Sequence, residues 1–399
     1  MNDETLSYTA TCGSTSVTVN GDIQSGFPFP EGWATVAGLA NGTTYSCTVL
    51  AANAAGSGPG STAVSGLPNA ISSSPTPSAG GFFVAVSCPT TSECVAVGQG
   101  VSSGTLGLVE VSSDGGQTFT DEPVPMGTPQ LKAVTCFDAM HCIAVGGSTA
   151  LVTTNGGSTW NTEFAGWNLT AVGCVNGTSC TASGYTPIGT TVVTSDGGLT
   201  WQQSTGNQPP LINLTCTSAT CVGIVAQEPY AAVSGNAGAT WQRVGFMDDG
   251  FKEPLSVACL ASTTSCIMVG QDTKGISDPT LPAAAFITSD DGQSWADVSS
   301  ALPSGSWSMM RVSCPTSNTC YAVGNQVGAT SVDGGAVWAS VTGPSGPLPP
   351  DGKETIAGSQ TLSCASTSTC VVVGYDSLGP AAAYTINSAT SWSQATSIG

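Results

Sequence analysis

The chain has 399 residues, of which only 8% are charged, and six Lys and Arg against 25 Asp and Glu give a net charge of -19. Phosphate backbones and anionic lipid headgroups are bound by clustered Lys and Arg, so this composition argues against nucleic acids and membrane surfaces as partners. No apolar run reaches the roughly 18–20 residues that span a bilayer. Sixteen cysteines beside a single histidine indicate disulfides and an oxidising compartment rather than a Cys-His metal site.

Residues 1–68 have a pattern of their own, in which LSYTATC and TTYSCTVLAANAAG predict long alternating strands. The segment resembles the last five strands of a fibronectin type III domain, because Leu39 to Tyr45 matches its tyrosine corner and NAAGSGPGS matches its final hairpin. The resemblance implies that Cys12 and Cys47 pair between neighbouring strands. The first two strands of that family are missing and MNDETLSY lacks the features of a signal peptide, so we expect a longer secreted parent chain. A flexible Ser/Pro linker follows at 69–81.

From residue 82 to 399 the chain repeats one unit, whose first cysteines recur every 38 to 55 residues. The unit LKAVTCFDAMHCIAVGGSTALVTTNGGSTWNTEF (131–164) contains four short β-rich runs separated by turn-forming residues. Four antiparallel strands repeated seven times predict an all-β fold, a seven-bladed β-propeller, whereas a solenoid would favour shorter coils. The seven cysteine pairs are Cys88/Cys94, Cys136/Cys142, Cys174/Cys180, Cys216/Cys221, Cys259/Cys266, Cys314/Cys320 and Cys364/Cys370.

Each cysteine pair brackets the turn between the first and second strands of its unit, which predicts one hairpin disulfide per blade. Closing so short a loop stabilises the fold by about 2 kcal/mol in the chain-entropy model. The blades are rich in Ala, Gly, Ser and Thr and bury few large side chains, so seven such bonds would compensate for a thin core. The alternative, a Cys-only metal site, needs four thiolates that converge from two blades.

Each unit also contains a turn of the type TSDGGLTW, and the copies resemble the Asp-box, the bacterial neuraminidase repeat. The resemblance implies a place on the turn between the third and fourth strands of a blade. An Asp or Asn side chain can cap its own tight turn, Gly supplies the positive φ, and Trp packs against the blade. Seven evenly spaced copies predict a structural role. The motif residues are Asp114, Asn155, Asp196, Asn236, Asp290, Asp333 and Asn387, followed by Trp160, Trp201, Trp241, Trp295, Trp338 and Trp392, with Phe119 in the first unit.

The opposite face of such a propeller, which we call the loop face, carries the loops between blades and between second and third strands. It is the usual binding surface of propellers. Its longest loops combine acids with aromatic side chains, which could grip a sugar chain, a peptide or Ca²⁺; the alternative is solvated loops pinned by their aromatics. Arg311 lies on an innermost strand, where it could contact an anionic ligand or pair with an acid. The predicted binding residues are Asp248, Asp249, Asp272, Asp278, Trp307, Trp167 and Arg311.

Catalysis is the less favoured function. Sialidases, which share the Asp-box, bind the substrate carboxylate with three arginines, whereas this chain has only Arg243 and Arg311. His141, the single histidine, falls inside the Cys136–Cys142 turn, away from the binding face, which argues against a Ser or Cys nucleophile. We therefore expect a secreted or surface-displayed binding protein for a glycan or an extracellular protein. It would need no cofactor and would be monomeric within a larger chain.

A glycoside hydrolase is the alternative, because that chemistry needs only two carboxylates. Asp248 or Asp249 against Asp272 or Asp278, on adjacent loops, could supply the pair. Xyloglucanase-like enzymes place their acids in a cleft between two propellers, and this sequence predicts a single propeller.

Overall fold

The computed structural model describes residues 6–21, 45–53, 56–66, 81–100, 106–184, 189–217, 220–225, 230–245, 252–272, 282–303, 309–324, 327–343, 357–376 and 379–398. They belong to two compact units, one within Met1–Ser74 and a larger one that begins at Pro75. Almost all of the secondary structure is β. The one helix in these ranges is a single 3₁₀ turn at Ser299–Ala301, and none there is long and apolar enough to cross a membrane.

The N-terminal unit contains one antiparallel sheet with the strand order β2-β1-β3-β4, and β5 also pairs with β3. Cys12 lies directly opposite Cys47 across β1 and β3, and the two form a disulfide. Leu39, on which the tyrosine-corner resemblance depends, is outside the described residues, so the fibronectin assignment stays a prediction. The strands are β1 (Leu6–Cys12), β2 (Thr15–Gly21), β3 (Tyr45–Asn53), β4 (Gly56–Ser57) and β5 (Val64–Gly66).

The larger unit contains seven antiparallel sheets in chain order, which we number as blades 1 to 7. Blade 1 contains β6 (Phe82–Ser87), β7 (Cys94–Gln99), β8 (Gly107–Ser112) and β9 (Thr118–Asp121). Blade 2 contains β10 (Ala133–Cys136), β11 (Cys142–Thr153) and β12 (Asn161–Leu169). Blade 3 contains β13 (Ala171–Cys174), β14 (Cys180–Gly184), β15 (Thr190–Thr194) and β16 (Gln202–Gln203). Blades 4 and 5 are β17 (Leu211–Thr217), β18 (Thr220–Val225), β19 (Tyr230–Ser234) and β20 (Gln242–Gly245); β21 (Lys252–Cys259), β22 (Cys266–Asp272), β23 (Ala283–Thr288) and β24 (Ala296–Asp297). Blades 6 and 7 are β25 (Met309–Ser313), β26 (Cys320–Gly324), β27 (Val327–Ser331) and β28 (Ala339–Thr342); β29 (Ala357–Cys364), β30 (Cys370–Asp376), β31 (Gly379–Thr385) and β32 (Ser393–Gln394), and the chain then adds β33 (Thr396–Ile398).

Blade 2 departs from the predicted four strands. Its second and third strands run together as β11, because the connection between them is short: the chain turns at Gly147, where φ is 53°, and pairing with β12 resumes at Thr149. The other blades have four separate strands each.

The first strands of the blades form a closed ring, since each contacts the next and β29 contacts β6. Across this closure, the backbone N–H of Cys88 donates to Ser363 Oγ at 2.9 Å, and Thr361 Oγ1 donates to the carbonyl of Val84 at 3.0 Å. The last strand, β33, pairs parallel to β9 on the outside of blade 1. The fold is therefore a seven-bladed β-propeller, closed by contacts between residues more than 270 positions apart.

The hydrophobic core lies between the blades. Each of seven clusters of buried side chains combines residues from two consecutive blades, and one of them joins blade 7 to blade 1. The second strands read as continuous apolar runs, such as CVAVGQ in β7, because both faces of a blade are covered by neighbours. Small side chains at their centres, such as Ala96, Ala144 and Ala182, let the sheets approach closely.

All eight predicted disulfides are present, and they account for the sixteen cysteines. Seven of them close the hairpin between the first and second strands of a blade. In blade 3, for example, Cys174 ends β13, Cys180 begins β14, and the two lie directly opposite each other. Disulfides of this number indicate an oxidising environment.

In blade 4 the disulfide also closes the predicted hairpin, but the connection is shorter than in the other blades. Cys216 and Cys221 form the expected disulfide, but they are five positions apart, against six or seven in the other blades. The strands continue one residue past them, because Thr217 pairs with Thr220. Cys221 therefore lies buried inside β18, and the bond links two strand interiors instead of the edges of a turn. The physical reason is the shorter connection, since four intervening residues allow the outer two to pair as in a tight hairpin.

Candidate functional site

The turns of type TSDGGLTW, which we call motif turns, are closed by hydrogen bonds to their own side chains. In blade 3, Asp196 Oδ1 accepts the backbone N–H of Thr200 at 2.9 Å, and Oδ2 accepts the Thr200 hydroxyl at 2.6 Å. Thr194 Oγ1 donates to Asp196 Oδ1 and accepts the N–H of Gly198. These hydrogen bonds, led by the Thr200 hydroxyl, lower the pKa of Asp196 from 3.8 to about 2. The carboxylate therefore accepts three hydrogen bonds from its own turn.

The Asn-containing turns have the same geometry without the charge. Asn155 Oδ1 accepts the N–H of Thr159 at 3.0 Å, and its Nδ2 donates to Thr159 Oγ1 at 2.9 Å. Asn236 and Asn387 make equivalent bonds. The pKa values of Asp290 and Asp333 are lowered by the hydrogen bonds that close their turns. The interchange of Asp and Asn shows that this position caps the turn in either form.

The turns also join each blade to the preceding one, a role that the sequence did not indicate. The second residue after the Asp or Asn has a positive φ in every turn, and it is glycine in six of the seven. A Cβ at Gly198 would lie 2.9 Å from Ile143 Cδ1 in blade 2. The aromatic residue of each turn packs in the same interface; Trp160, for example, belongs to the cluster between blades 1 and 2. In blade 7 the glycine position is Ala389, which is buried against blade 6.

The cysteine turns lie on the same face as these motifs. In six blades the motif turn donates a backbone hydrogen bond to the cysteine turn, as from Gly156 N to the carbonyl of Met140 at 2.9 Å. His141 lies in one cysteine turn, partly exposed, with Nδ1 2.9 Å from both oxygens of Asp138 and its ring stacked on Phe137. These contacts with Asp138 and Phe137 hold His141 within its cysteine turn.

Four of the predicted binding residues, Asp248, Asp249, Asp278 and Trp307, lie outside the described residues. Of the others, Trp167 is half-buried on β12 and packs against the cluster between blades 2 and 3. Asp272 ends β22 directly opposite Lys252, which forms an ion pair with Asp297. Among the described residues no group of three or more His, Cys, Asp or Glu side chains could hold a metal ion, so Ca²⁺ binding stays a prediction.

Arg311 lies at the axis of the propeller, where the first strands of all seven blades line a cavity of about 480 Å³. Arg311 is the third of the five residues of β25 and lies three positions before Cys314. Neither Asp272 nor Trp167 is among the described residues that line this cavity, so the structure separates Arg311 from both of them.

The wall of the axial cavity differs from blade to blade. At the position three residues before the first cysteine, blades 1 to 3 have alanine, while blades 4 to 7 have Asn213, Ser256, Arg311 and Thr361. Three of these also tie neighbouring blades together: Asn213 Oδ1 accepts the N–H of Val257, Ser256 Oγ accepts that of Val312, and Thr361 donates across the ring closure. At this position the wall is therefore apolar in blades 1 to 3 and polar in blades 4 to 7.

Lys132 is a second cation in this cavity, one that was not predicted from the sequence. It precedes Ala133 on the loop-face side of blade 2, and its Nζ donates to Gln130 Oε1 at 2.7 Å. Desolvation by burial lowers the pKa of Lys132, and it lowers the pKa of Arg311 to about 10. The sequence contained a signal for this pair. When the repeat units are aligned on their first cysteines, Lys132 and Arg311 differ by one position, in a chain with only six cations.

A closed ring of seven sheets, most of them four-stranded, around a central cavity defines the protein as a β-propeller. Solved structures of similar fold include YCF48 bound to D1 peptide, with 16% identity over 74% of this chain and 90% of that one and a TM-score of 0.54. The hydrazine synthase of Kuenenia stuttgartiensis has 10% identity, 77% and 96% coverage and a TM-score of 0.57. The GH74 xyloglucanase from Xanthomonas campestris has 14% identity and a TM-score of 0.56, and 78% of this chain matches 53% of it.

At these identities the similarity shows the fold alone. No protein-family model matches the sequence, and a search of curated proteins found no match.

Proposed function

We propose that this protein is an extracellular or cell-surface binding propeller that recognises a glycan or protein partner without making or breaking a bond. The observation that carries the proposal is the axial cavity of about 480 Å³, which is lined by unlike polar and charged groups. Its volume lies within the roughly 300–1,000 Å³ of small-molecule sites. The eight disulfides support an extracellular location, because such bonds persist in oxidising surroundings.

The chemistry of the described residues also favours binding over catalysis. All sixteen cysteines are oxidised, so none supplies a thiolate nucleophile. His141 is held in a cysteine turn by Asp138 and Phe137, and a general base must instead lie within reach of a nucleophile. The two arginines of the chain are on different blades, Arg243 on β20 and Arg311 on β25, so they do not form a sialidase-like cluster.

A glycoside hydrolase is the second candidate, and one described pair of carboxyl groups favours it. Glu110 on β8 is 4% exposed and lies directly opposite Asp121 on β9, whose pKa is raised by desolvation. A raised pKa is what a general acid needs. The pair lies on the outer strands of blade 1, however, and neither residue lines the axial cavity.

The proposal is tested by passing a panel of neutral and acidic polysaccharides over the immobilised protein and measuring both retention and new reducing ends. We expect retention of at least one polysaccharide and no reducing ends above those of a column carrying reduced, unfolded protein. Reducing ends that disappear in Glu110→Gln, or in a variant with Asp248, Asp249, Asp272 and Asp278 changed to Asn, would establish the hydrolase instead. If the protein retains no polysaccharide, the glycan part of the proposal is wrong and only a protein partner is left.

A further inference from the structure

The axial cavity concentrates positive charge in a strongly acidic protein. Two of the six cations of the chain, Lys132 and Arg311, line it, and the described lining residues carry no negative charge. In the rest of the chain, 25 acidic residues stand against the other four Lys and Arg, and the net charge is -19. Fixed charges inside a low-dielectric cavity interact more strongly with a ligand than the same charges at the surface. The cavity is thus the part of the described chain best suited to an anion.

The ring places the two cations on different sides of the axis. Lys132 is in blade 2 and Arg311 is in blade 6, with blades 7 and 1 between them on one side and blades 3 to 5 on the other. Lys132 and Arg311 stand four and three residues before the first cysteine of their blades, and both line the cavity. An anion in the cavity can therefore be approached by both cations.

The remaining polar groups suit a hydroxylated ligand. Asn213, Ser256 and Thr361 stand at the level of Arg311 on blades 4, 5 and 7, and Thr170 also lines the cavity. Ser256 Oγ and Asn213 Oδ1 each accept one hydrogen bond from the neighbouring blade, which leaves the Asn213 amide N–H groups and the Ser256 hydroxyl proton as donors. Thr361 donates its own proton to the carbonyl of Val84, so its oxygen serves as an acceptor. The hydroxyl groups of a sugar ring can both donate to and accept from such groups, whereas an apolar side chain would leave them unpaired.

We infer that the axial cavity binds a carboxylated sugar, such as a uronic acid residue of an acidic glycan, with its carboxylate on Arg311 and Lys132 and its hydroxyl groups towards Asn213, Ser256 and Thr361. The planar guanidinium of Arg311 matches a carboxylate with two parallel hydrogen bonds, and Lys132 adds a point charge. This inference rests on the proposed binding function and specifies the ligand class for one site.

The experiment measures binding of sodium D-glucuronate, D-glucose and N-acetyl-L-alanyl-L-alanine to the full chain by calorimetry at low salt. We expect glucuronate to bind at least about tenfold more tightly than glucose, and Arg311→Gln and Lys132→Gln each to weaken it by about three- to tenfold. Arg243→Gln removes the same charge from an exposed position on β20 and is the matched control, which should change the affinity less than about twofold.

Three results would overturn the inference: equal binding of glucuronate and glucose, loss in Arg243→Gln equal to that in Arg311→Gln, or tighter binding of the acetylated dipeptide, which would assign the cavity to peptide carboxylates. Thermal unfolding of each variant checks that it is folded, and Lys132→Gln carries the test if Arg311→Gln is not. Retention of a neutral polysaccharide by a protein that does not bind glucuronate would contradict this inference alone and would leave the proposed function standing.

Discussion

The turn-bearing end of the blades and the wall of the axial cavity follow opposite rules. At the end that carries the cysteine and motif turns, all seven blades repeat the same disulfide and the same capped turn, with Asp and Asn interchangeable. In the axial wall, the position three residues before the first cysteine holds Ala, Asn, Ser, Arg or Thr. Identical residues there would offer only one kind of group to a ligand at the axis. The repeated end stabilises the fold, and the varied axial wall is where we place binding.

The repeated end also joins the blades to one another. Each motif turn is closed by hydrogen bonds to its own Asp or Asn, and it places a glycine, or Ala389 in blade 7, and an aromatic side chain in the interface with the preceding blade. A motif that is local in sequence therefore determines a contact between two units.

Reduction of all disulfides should unfold the propeller at temperatures where the oxidised protein is stable. Each short hairpin bond contributes about 2 kcal/mol, and seven of them together approach the roughly 5–15 kcal/mol that separates folded from unfolded domains. Thermal unfolding followed by Trp fluorescence, with and without reductant, measures the effect, and alkylation confirms how many cysteines were reduced. A fully reduced protein with an unchanged Tm would contradict the stabilising role of the repeated end.

Gly198→Ala should lower the free energy of unfolding by about 2–4 kcal/mol, because the new Cβ adopts a positive φ and also meets Ile143 of blade 2 at 2.9 Å. Gly206→Ala is the matched control: its φ is also positive, at 80°, but nothing lies within 4 Å of the added Cβ, so it should cost only about 1 kcal/mol. Denaturant unfolding measures both. Equal losses would mean that the turn does not carry the contact between blades.

Asp196→Asn should leave stability at pH 7 almost unchanged and reduce its loss in acid. Folding lowers the pKa of Asp196 from 3.8 to about 2, so the ionised carboxylate stabilises the fold above about pH 4, and this contribution disappears as the pH falls towards 2. Asn closes the turn without titrating, as Asn155 does: its Oδ1 accepts the backbone N–H and its Nδ2 donates to the Thr hydroxyl. Urea unfolding from pH 7 to pH 2 compares the slopes. An identical acid dependence in both proteins would show that Asp196 does not contribute to it.

Ser388→Gly should give the smallest effect, an increase of about 0.5 kcal/mol in the free energy of unfolding. Ser388 is exposed with a φ of 60°, a conformation that costs a non-glycine residue about 1 kcal/mol, and the greater freedom of glycine in the unfolded chain offsets part of the gain. Ser388→Ala retains the strain and serves as the control. A glycine variant that is less stable than the alanine variant would contradict this account of the turn.

The amino-acid sequence by itself determined the local features of this protein. The spacing of the cysteines predicted the hairpin disulfides, since two residues beside one tight turn are held close whatever the rest of the chain does. It did not predict that Cys221 would lie inside its strand, because the strand ends depend on which residues beyond the disulfide pair. The number of units predicted seven blades, and the turn motif predicted capped turns. The sequence also excluded a sialidase-like arginine cluster, because a chain with two arginines cannot supply three.

Only the tertiary structure decided which residues of different units meet. Closing the ring brings Ser363 onto Cys88 and places Lys132 and Arg311 in one cavity, although each pair is far apart in sequence. It also sets the motif glycines against the preceding blade. The physical reason is that strand pairing and turn chemistry act over a few residues, whereas the axial cavity exists only when seven blades pack face to face around it.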